Sequence, residues 1–311
     1  MSSLRGRYSV SQIGRIARKT LKAPISAIGV GLHSGADVRL RLSPASPDSG
    51  IVFRRTDLGV DIPARFDHVT DTRLCTLISQ DDAKVGTVEH LMAALAASEI
   101  DDVLIEIDAP EVPVFDGSAA PFLELIAKAG VVEHGGARPV LEILKPVRVE
   151  RDGAFAELCP QQNEQTGFDV SLSIEFKARA IGTQACQFHL SESGFAADIA
   201  RARTFTLRGE IEALRQAGLA QGGSLSNAVV VDDEKILNPE GLRFKDEFVR
   251  HKLLDVIGDL YLAGAPICGV FRGHRTGHGL NNQLLRALFA NQANYRLANR
   301  QLAAPLQLTA A

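Results

Sequence analysis

The sequence predicts an α+β protein of two similar domains, in which the helices of both domains pack together between two β-sheets. Three observations lead to this prediction. Alternating apolar runs typical of strands are interspersed with stretches of helical period. The order strands, helix, strand, helix occurs twice along the chain. Sheets and helices must each bury an apolar side, and stacking the helices between the two sheets buries all of these sides at once.

The first half begins with short strands separated by Gly, Pro, Ser and Asp clusters, and the period then changes to that of a helix. Thr87 is the expected cap of the first helix. We expect strands at 38–42, 51–54, 74–78 and 103–107, and helices at 87–97 and 119–129.

The second half repeats this order after a polar, glycine-containing segment, residues 133–139. We expect strands near 140–149, 155–158, 168–176, 184–190 and 267–271, with helices after residue 206, at 245–262 and from about residue 280. The resulting domain prediction is a basic, disordered leader at 1–20, a first α+β domain at 21–134 and a second at 135–311.

The composition excludes several classes of protein. A net charge of −3 and a hydrophobic fraction of 45% are typical of a folded chain, and they offer no basic surplus for nucleic acid. No apolar stretch approaches the roughly 20 residues that a membrane helix needs. The four cysteines form no C-x-x-C pair, which argues against a disulfide framework and a thiolate zinc site. We therefore expect a cytoplasmic protein that neither binds nucleic acid nor spans a membrane.

The long helix at 245–262 carries a polar stripe. His251, Asp255 and Asp259 are spaced by four residues, so they lie on one face of an otherwise apolar helix. Solvated faces usually carry Lys and Glu, whereas short Asp side chains beside a His are suited to a small ion. A simple solvated face remains the alternative for this helix taken alone.

Two further segments carry candidate catalytic residues. Glu89 and His90 lie in the first turn of the helix at 87–97, where the positive end of the helix favours an ionised Glu and a neutral imidazole. A first-turn acid beside a packed His is the alternative. His278 lies in a glycine-rich loop, residues 273–279, that permits close approach to a ligand.

These residues suffice for a catalytic zinc site. His90, His251 and Asp255 would supply two imidazoles and a carboxylate and leave a fourth position open, as catalytic zinc sites do. Glu89 would accept a proton from water at that position. His278, held by Asp259, would act as an acid or as an electrostatic stabiliser.

Six stretches carry a resemblance to a known family. They are GVGLHSG at 29–35, TVEHLMAALA at 87–96, FDGSAAPF at 115–122, RARTF at 201–205, FVRHKLLDVIGDL at 248–260 and GHGLNN at 277–282. Together they resemble the zinc-dependent UDP-3-O-acyl-N-acetylglucosamine deacetylases of lipid A biosynthesis in Gram-negative bacteria. The resemblance extends from about residue 21 to the end of the chain.

The resemblance implies a β-α-α-β sandwich that hydrolyses an amide. The implied substrate is UDP-3-O-(3-hydroxyacyl)-N-acetylglucosamine, which would lose its acetyl group as acetate and keep a free 2-amine. One Zn²⁺ per chain would be bound by His90, His251 and Asp255. We also expect a monomer with at most weak contact with the inner leaflet of the membrane.

The resemblance further implies roles for individual residues. Glu89 would be the general base, and His278, oriented by Asp259, the acid or electrostatic partner. Thr204 would donate a hydrogen bond to the tetrahedral oxyanion. Phe176 would stack on the uracil, and Lys252 and Arg275 would contact the diphosphate. Cys75 would lie close to the metal. The remaining expected substrate contacts are Phe205 and the residues along the acyl passage, Leu32, Ile211, Leu225 and Val230.

Two other readings of the chain remain. The same three ligands could hold a zinc-stabilised binding module without turnover, although such a module has no need to keep Glu89, Thr204 and His278 together. A serine or cysteine hydrolase is the second alternative, but the chain has no G-x-S-x-G motif. A chelator distinguishes this second alternative, because it would abolish a zinc hydrolase and spare a nucleophilic one.

Overall fold

The computed structural model describes residues 16–161 and 167–299. Most of the predicted leader therefore lies outside the described residues. Its end differs from the prediction, because Ala17–Leu21 form a strand that pairs with Val131–Ala137. The boundary predicted between residues 134 and 135 lies within this second strand, and the domain division stays a prediction.

The described part of the first half of the chain contains ten strands and two helices. The strands are β1 (Ala17–Leu21), β2 (Ile25–Val30), β3 (Asp37–Pro44), β4 (Ile51–Arg55), β5 (Val60–Pro63), β6 (Val69–Asp71), β7 (Leu77–Gln80), β8 (Ala83–Val85), β9 (Val103–Ile107) and β10 (Val131–Ala137). The helices are α1 (Glu89–Ala97) and α2 (Ala120–Ala129).

The second half adds ten described strands and four helices. The strands are β11 (Pro139–Ile143), β12 (Val147–Arg151), β13 (Ala154–Cys159), β14 (Phe168–Glu175), β15 (Thr183–His189), β16 (Phe205–Leu207), β17 (Val229–Asp232), β18 (Lys235–Ile236), β19 (Ile267–His274) and β20 (Tyr295–Asn299). The helices are α3 (Glu192–Gly194), which continues as a π-helical turn, α4 (Arg208–Gln216), α5 (Glu247–Tyr261) and α6 (His278–Phe289).

Two large mixed sheets organise these elements. The first has the strand order β2-β3-β9-β4-β5. The second contains seven strands around β19, which pairs with β11, β13 and β14. There are also three small sheets, with the strand orders β1-β10, β6-β7-β8 and β16-β17-β18. The predicted α+β fold class is confirmed.

Helices α1, α2, α5 and α6 lie between the large sheets. Helix α2 contacts β2 of the first sheet, α5 and α6 contact strands of the second, and α1 packs against α2 and α5. Every residue of α1 is buried, and so are nearly all residues of α5. A helix buried all round must be covered on all sides, which a position between two sheets provides.

The contact between α1 and α5 depends on a glycine. A Cβ atom at Gly258 of α5 would lie 2.0 Å from the carbonyl oxygen of Glu89 and 2.8 Å from its carbonyl carbon. Only a residue without a side chain lets the two backbones approach this closely. The Tyr261 hydroxyl adds a second link, because it donates a 2.8 Å hydrogen bond to the Ile100 carbonyl just beyond α1.

Several predicted elements differ from those observed. Thr87 does not cap α1: it has a φ of 54°, and Val88 occupies the cap position without a side-chain hydrogen bond. The single strand predicted at 140–149 is divided into β11 and β12. The strand predicted at 74–78 begins only at Leu77. Each difference falls at the end of an element, where local sequence preference is least precise.

We expect Gly258→Ala to destabilise the protein by about 1–3 kcal/mol or more, because the added methyl group overpacks a backbone contact that cannot relax cheaply. Gly209→Ala is the matched control, since a Cβ there meets nothing within 4 Å. It should leave stability unchanged or raise it by up to about 1 kcal/mol. Urea unfolding measures both variants, and equal stabilities would contradict the packing argument.

Candidate active site

Helices α1 and α5 bring together the three predicted ligands. His90 lies on α1, and His251 and Asp255 lie one turn apart on α5. All three are buried, and one ligand atom of each lies within 4.8 Å of the others. The Asp255 Oδ1 atom is 3.4 Å from His251 Nε2 and 3.7 Å from His90 Nε2. Three ligand atoms therefore converge across the contact between the two helices.

The hydrogen bonds of this group fit a cation. The Ala202 carbonyl only accepts, so the 3.1 Å hydrogen bond from His251 Nδ1 places the ring proton there and leaves a lone pair on Nε2. That lone pair faces the carboxylate of Asp255. The Asp255 Oδ1 atom is buried and has no hydrogen-bond partner among the described residues. Opposed lone pairs repel unless positive charge lies between them, so the donor set fits a metal ion.

The pKa values of these groups favour the forms that bind metals. Burial, and then the neighbouring His251, lower the pKa of His90 to about 3. Burial likewise lowers the pKa of His251. Burial alone would raise the pKa of Asp255, but Lys252 and His251 hold it well below its usual range. Two neutral imidazoles and an ionised carboxylate are the protonation states that a divalent metal requires.

Lys252 stabilises the ionised carboxylate. Its Nζ atom lies 2.7 Å from the second oxygen of Asp255, Oδ2. The side chain is mostly buried, and its pKa is raised because Asp255 outweighs the effect of burial. Asp255 thus has one oxygen engaged by a cation and the other directed toward the two imidazoles.

Glu89 and His278 face each other beside the three ligands. Their closest atoms, Glu89 Oε1 and His278 Nε2, are 3.7 Å apart. Burial raises the pKa of Glu89 to about 8. Burial alone would lower the pKa of His278, but Asp259 and Glu89 outweigh it and raise this pKa to about 9. The two groups can therefore hold or accept a proton near neutral pH.

Asp259 orients His278 and is itself fully hydrogen-bonded. Its Oδ2 atom lies 2.9 Å from His278 Nδ1 and accepts a 2.8 Å hydrogen bond from Asn281 Nδ2. Its Oδ1 atom accepts a 2.5 Å hydrogen bond from the Thr76 hydroxyl. Asn281 also accepts from the Thr276 hydroxyl at 2.8 Å. This network holds the His278 ring in one orientation.

The backbone just before α1 is strained. Thr87 is β-branched, yet it has a φ of 54°, a conformation that such residues rarely adopt. Glu111 compensates, because its buried carboxylate accepts hydrogen bonds from the Thr87 hydroxyl at 2.8 Å and from the His33 and Ser34 amides. The Glu89 carboxylate is positioned similarly by the Thr76 amide at 3.0 Å. Strain of this kind is often maintained at functional sites.

Two cavities adjoin these residues. A cavity of about 220 Å³ is lined by the ligands together with Glu89, His278, Leu32, Cys75, Thr204, Phe205, Phe176 and Lys252. A second, predominantly apolar cavity of about 840 Å³ shares Leu32, Thr204 and Phe205 with the first, so the two are adjacent. It also contains the predicted residues Ile211, Leu225 and Val230.

Aromatic side chains form one wall of the smaller cavity. Phe205 packs edge to face on Phe176 at 5.5 Å and on Phe248 at 4.9 Å between ring centroids. It also lies 6.3 Å from the His251 ring. Phe205 therefore packs against α5, which carries His251 and Asp255, and also lines the smaller cavity.

Two predicted site residues, Asp259 and Arg275, line neither of these two cavities. Asp259 is buried and contacts the site through His278, whereas Arg275 is exposed, has a φ of 52°, and its amide donates to the Ser173 carbonyl at 2.8 Å. Conversely, sequence reasoning missed Thr76, Asn281 and Glu111. Asn281 lies three residues after His278 on the same helix, so helical spacing could have indicated it. Nothing local marks Thr76 or Glu111.

The fold and the site define the class of this protein: it is an α+β protein of two layered sheets with a buried His-His-Asp group that could hold a metal, next to a Glu–His pair. Comparison with known proteins agrees. Residues 18–290 match the model of the LpxC family, described as UDP-3-O-acyl N-acetylglycosamine deacetylase.

Curated relatives named UDP-3-O-acyl-N-acetylglucosamine deacetylase match most of the chain. The relative from Histophilus somni is 49% identical over 89% of this chain and 91% of its own length. That from Chromobacterium violaceum is 48% identical over 91% and 94%, and that from Haemophilus influenzae is 50% identical over 89% and 91%. The chain therefore belongs to the UDP-3-O-acyl-N-acetylglucosamine deacetylase family. Within its described part, none of the helices has the length and apolar character needed to traverse a bilayer.

We expect Asp259→Asn to lower the pKa of His278 from about 9, because the variant removes the carboxylate charge and leaves the opposing effect of burial in place. At pH 8 His278 should be protonated in the parent and largely neutral in the variant. An NMR titration of the labelled His278 ring in metal-free protein measures this, with Asp108→Asn on the surface as the control. A midpoint that stays near 9 in Asp259→Asn would refute the assignment.

Proposed function

We propose that this chain is a zinc-dependent hydrolase that removes the N-acetyl group from UDP-3-O-(3-hydroxyacyl)-N-acetylglucosamine. The products would be acetate and the free 2-amine of the sugar, a step of lipid A biosynthesis. One observation carries the metal assignment: the Asp255 Oδ1 atom, which has no hydrogen-bond partner in the described part of the chain, faces the Nε2 atoms of His251 and His90 at 3.4 and 3.7 Å. The names of the relatives support the substrate.

His90, His251 and Asp255 would hold the zinc ion, and no cysteine ligand is needed. When bound, zinc supplies a Lewis acid that polarises the amide carbonyl and lowers the pKa of water. Lys252 keeps Asp255 ionised, and the Ala202 carbonyl fixes the tautomer in which His251 Nε2 is free to bind.

Glu89 would accept the proton of the attacking water. In the metal-free protein burial raises its pKa to about 8, and a nearby cation would favour the ionised form that a base requires. Its second oxygen, Oε2, is engaged by the Thr76 amide, so Oε1 remains available to water. The Glu89 side chain therefore has both a fixed position and a free acceptor.

His278 would carry the proton that the leaving amine needs. Its pKa of about 9 keeps it protonated at neutral pH, and its Nε2 atom lies 3.7 Å from Glu89 Oε1. Asp259 holds the opposite ring nitrogen, Nδ1. Thr204 lines the same cavity and would donate a hydrogen bond to the oxyanion.

The cavities suit the two ends of the proposed substrate. The fatty-acyl chain would occupy the 840 Å³ cavity, lined by Leu32, Ile211, Leu225 and Val230. The uracil would stack on Phe176, and Phe205 would form the adjoining wall. We assign the diphosphate to Lys252 and Arg275, and Cys75 to the wall beside the metal. Burial raises the pKa of the Cys75 thiol to about 12, so it would be neutral there.

The proposal includes a monomer in the cytoplasm of a Gram-negative bacterium, without a nucleic-acid partner. The thiols Cys75, Cys159, Cys186 and Cys268 are all free, which supports a reducing compartment.

The decisive experiment measures metal content and acetate release together, using a UDP-linked, 3-O-acylated N-acetylglucosamine. We expect about one zinc ion per chain, as in three-ligand catalytic sites, and loss of acetate release on chelation with recovery on zinc addition. Zinc binding without acetate release would instead support a zinc-stabilised binding module. Activity in metal-free protein would refute the mechanism.

We expect Glu89→Gln and His278→Ala to lower kcat by about 10²–10⁴-fold while zinc content stays at the parent value, since both residues act on protons. Acetate release and elemental analysis of the purified variants provide the measurement. Loss of zinc in His278→Ala would mean that His278 is a ligand and that the assigned set is wrong.

We expect His251→Ala to lose zinc, because two side-chain ligands remain where three converged. His274→Ala is the matched control: His274 lies at the end of β19, where its Nδ1 atom is 2.9 Å from the Ser173 hydroxyl, away from the three ligands. Zinc content after dialysis should fall in the first variant only. Equal zinc content in both would exclude His251 as a ligand.

A further inference from the structure

The polar stripe of α5 begins one turn before His251. Glu247 is the first residue of the helix and precedes His251 by four residues, so Glu247, His251, Asp255 and Asp259 share one face. Glu247 is fully buried, with a relative exposure of 0%. The mechanism above gives no role to this carboxylate, and the cost of burying it requires a partner.

The partner is Arg203, which is 1% exposed. Its Nε atom donates to Glu247 Oε1 at 2.8 Å and its Nη2 atom to Glu247 Oε2 at 3.2 Å. The same guanidinium reaches Glu240 Oε1 at 2.6 Å and the Gly241 carbonyl at 2.7 Å. The Arg203 amide also donates to Glu247 Oε1, at 3.0 Å. Both the side chain and the backbone of Arg203 are thus fixed to the start of α5.

The neighbours of Arg203 in the chain are both at the active site. The Ala202 carbonyl accepts the hydrogen bond from His251 Nδ1. On the other side, the Thr204 amide donates to the Gly117 carbonyl at 2.8 Å. Gly117 has a φ of 84°, and a Cβ there would lie 2.1 Å from the Asn227 carbonyl oxygen. Residues 202–204 therefore connect a ligand of α5 with the proposed oxyanion donor.

We propose that the Arg203–Glu247 pair is a positioning device for the reaction: it fixes the 202–204 segment in register with α5, and thereby sets Thr204 and the His251 ring relative to each other. The inference rests on the proposed function for its effect on turnover. The alternative is a pair that contributes only to stability.

The chemistry of the pair requires an arginine. The guanidinium satisfies Glu247, Glu240 and Gly241 at the same time through a planar fork of donors. A lysine at this position would keep the charge but could not reproduce the paired geometry. Arg203→Lys therefore tests the geometry with the charge retained.

We expect Arg203→Lys to lower kcat by about 10- to 100-fold with little change in KM and with parent zinc content, because a small displacement of a catalytic group is costly. In protein that already carries Thr204→Val, most of the loss of kcat caused by Arg203→Lys should disappear. In a double-mutant cycle, Arg203→Lys should add little to Thr204→Val if it acts through Thr204, whereas independent effects would multiply.

Arg18→Lys is the matched control. Arg18 is also a buried arginine, 6% exposed, and donates to both oxygens of Asp102 at 2.6 Å, but it lies on β1 away from the cavities. It should lose stability in urea as Arg203→Lys does, yet retain the parent kcat. A kcat in Arg203→Lys equal to that of the parent would overturn the proposal.

Hydrogen exchange provides a readout that does not depend on activity. In metal-free protein the Thr204 amide should exchange faster in Arg203→Lys than in the parent, and its exchange rate should be unchanged in Arg18→Lys.

Should Arg203→Lys fail to fold, Glu247→Gln tests the same pair with its shape retained. If the parent releases no acetate, the proposed function fails. Unchanged Thr204 exchange would refute the positioning role separately.

Discussion

The close backbone contact between α1 and α5 is the constraint on which the rest of the structure depends. At Gly258 the two helices approach until a Cβ would lie 2.0 Å from the Glu89 carbonyl oxygen. This contact places the first turn of α1 against the middle of α5, and His90 thereby reaches His251 and Asp255. The two sheets enclose the helix pair, and its burial strengthens the electrostatic interactions within the site.

Burying this much charge requires that each group be compensated. Along α5, Glu247 is paired with Arg203, and Asp259 accepts hydrogen bonds from Thr76 and Asn281 as well as facing His278. Asp255 is the exception, with one oxygen on Lys252 and the other without a partner among the described residues. An uncompensated buried oxygen is unfavourable in a resting protein, and its place between two imidazoles is the physical argument for a bound cation.

Much of the fold and part of the site followed from local patterns. Strand β9 and most of α5 were predicted within a residue or two, because long apolar runs at the right period are strong signals. The four-residue spacing placed His251, Asp255 and Asp259 on one face in advance. Strands β1, β10 and β20 are among the strands that were missed, since each pairs with a strand far away in the chain. The conformation of Thr87 was missed for the same reason: it depends on Glu111, which follows it by 24 residues.

The sequence by itself determined the α+β class, the stripe of α5, the pairing of Glu89 with His90 and the resemblance to the deacetylases, because each of these is a local or a linear property of the chain. Only the tertiary structure decided that His90 meets His251, that Thr76 and Asn281 complete the shell of Asp259, and that Arg203 is paired with Glu247. Those partners are separated by tens to hundreds of residues. Spacing along the chain fixes the face of an element on which a side chain lies, whereas packing between elements fixes what that side chain meets.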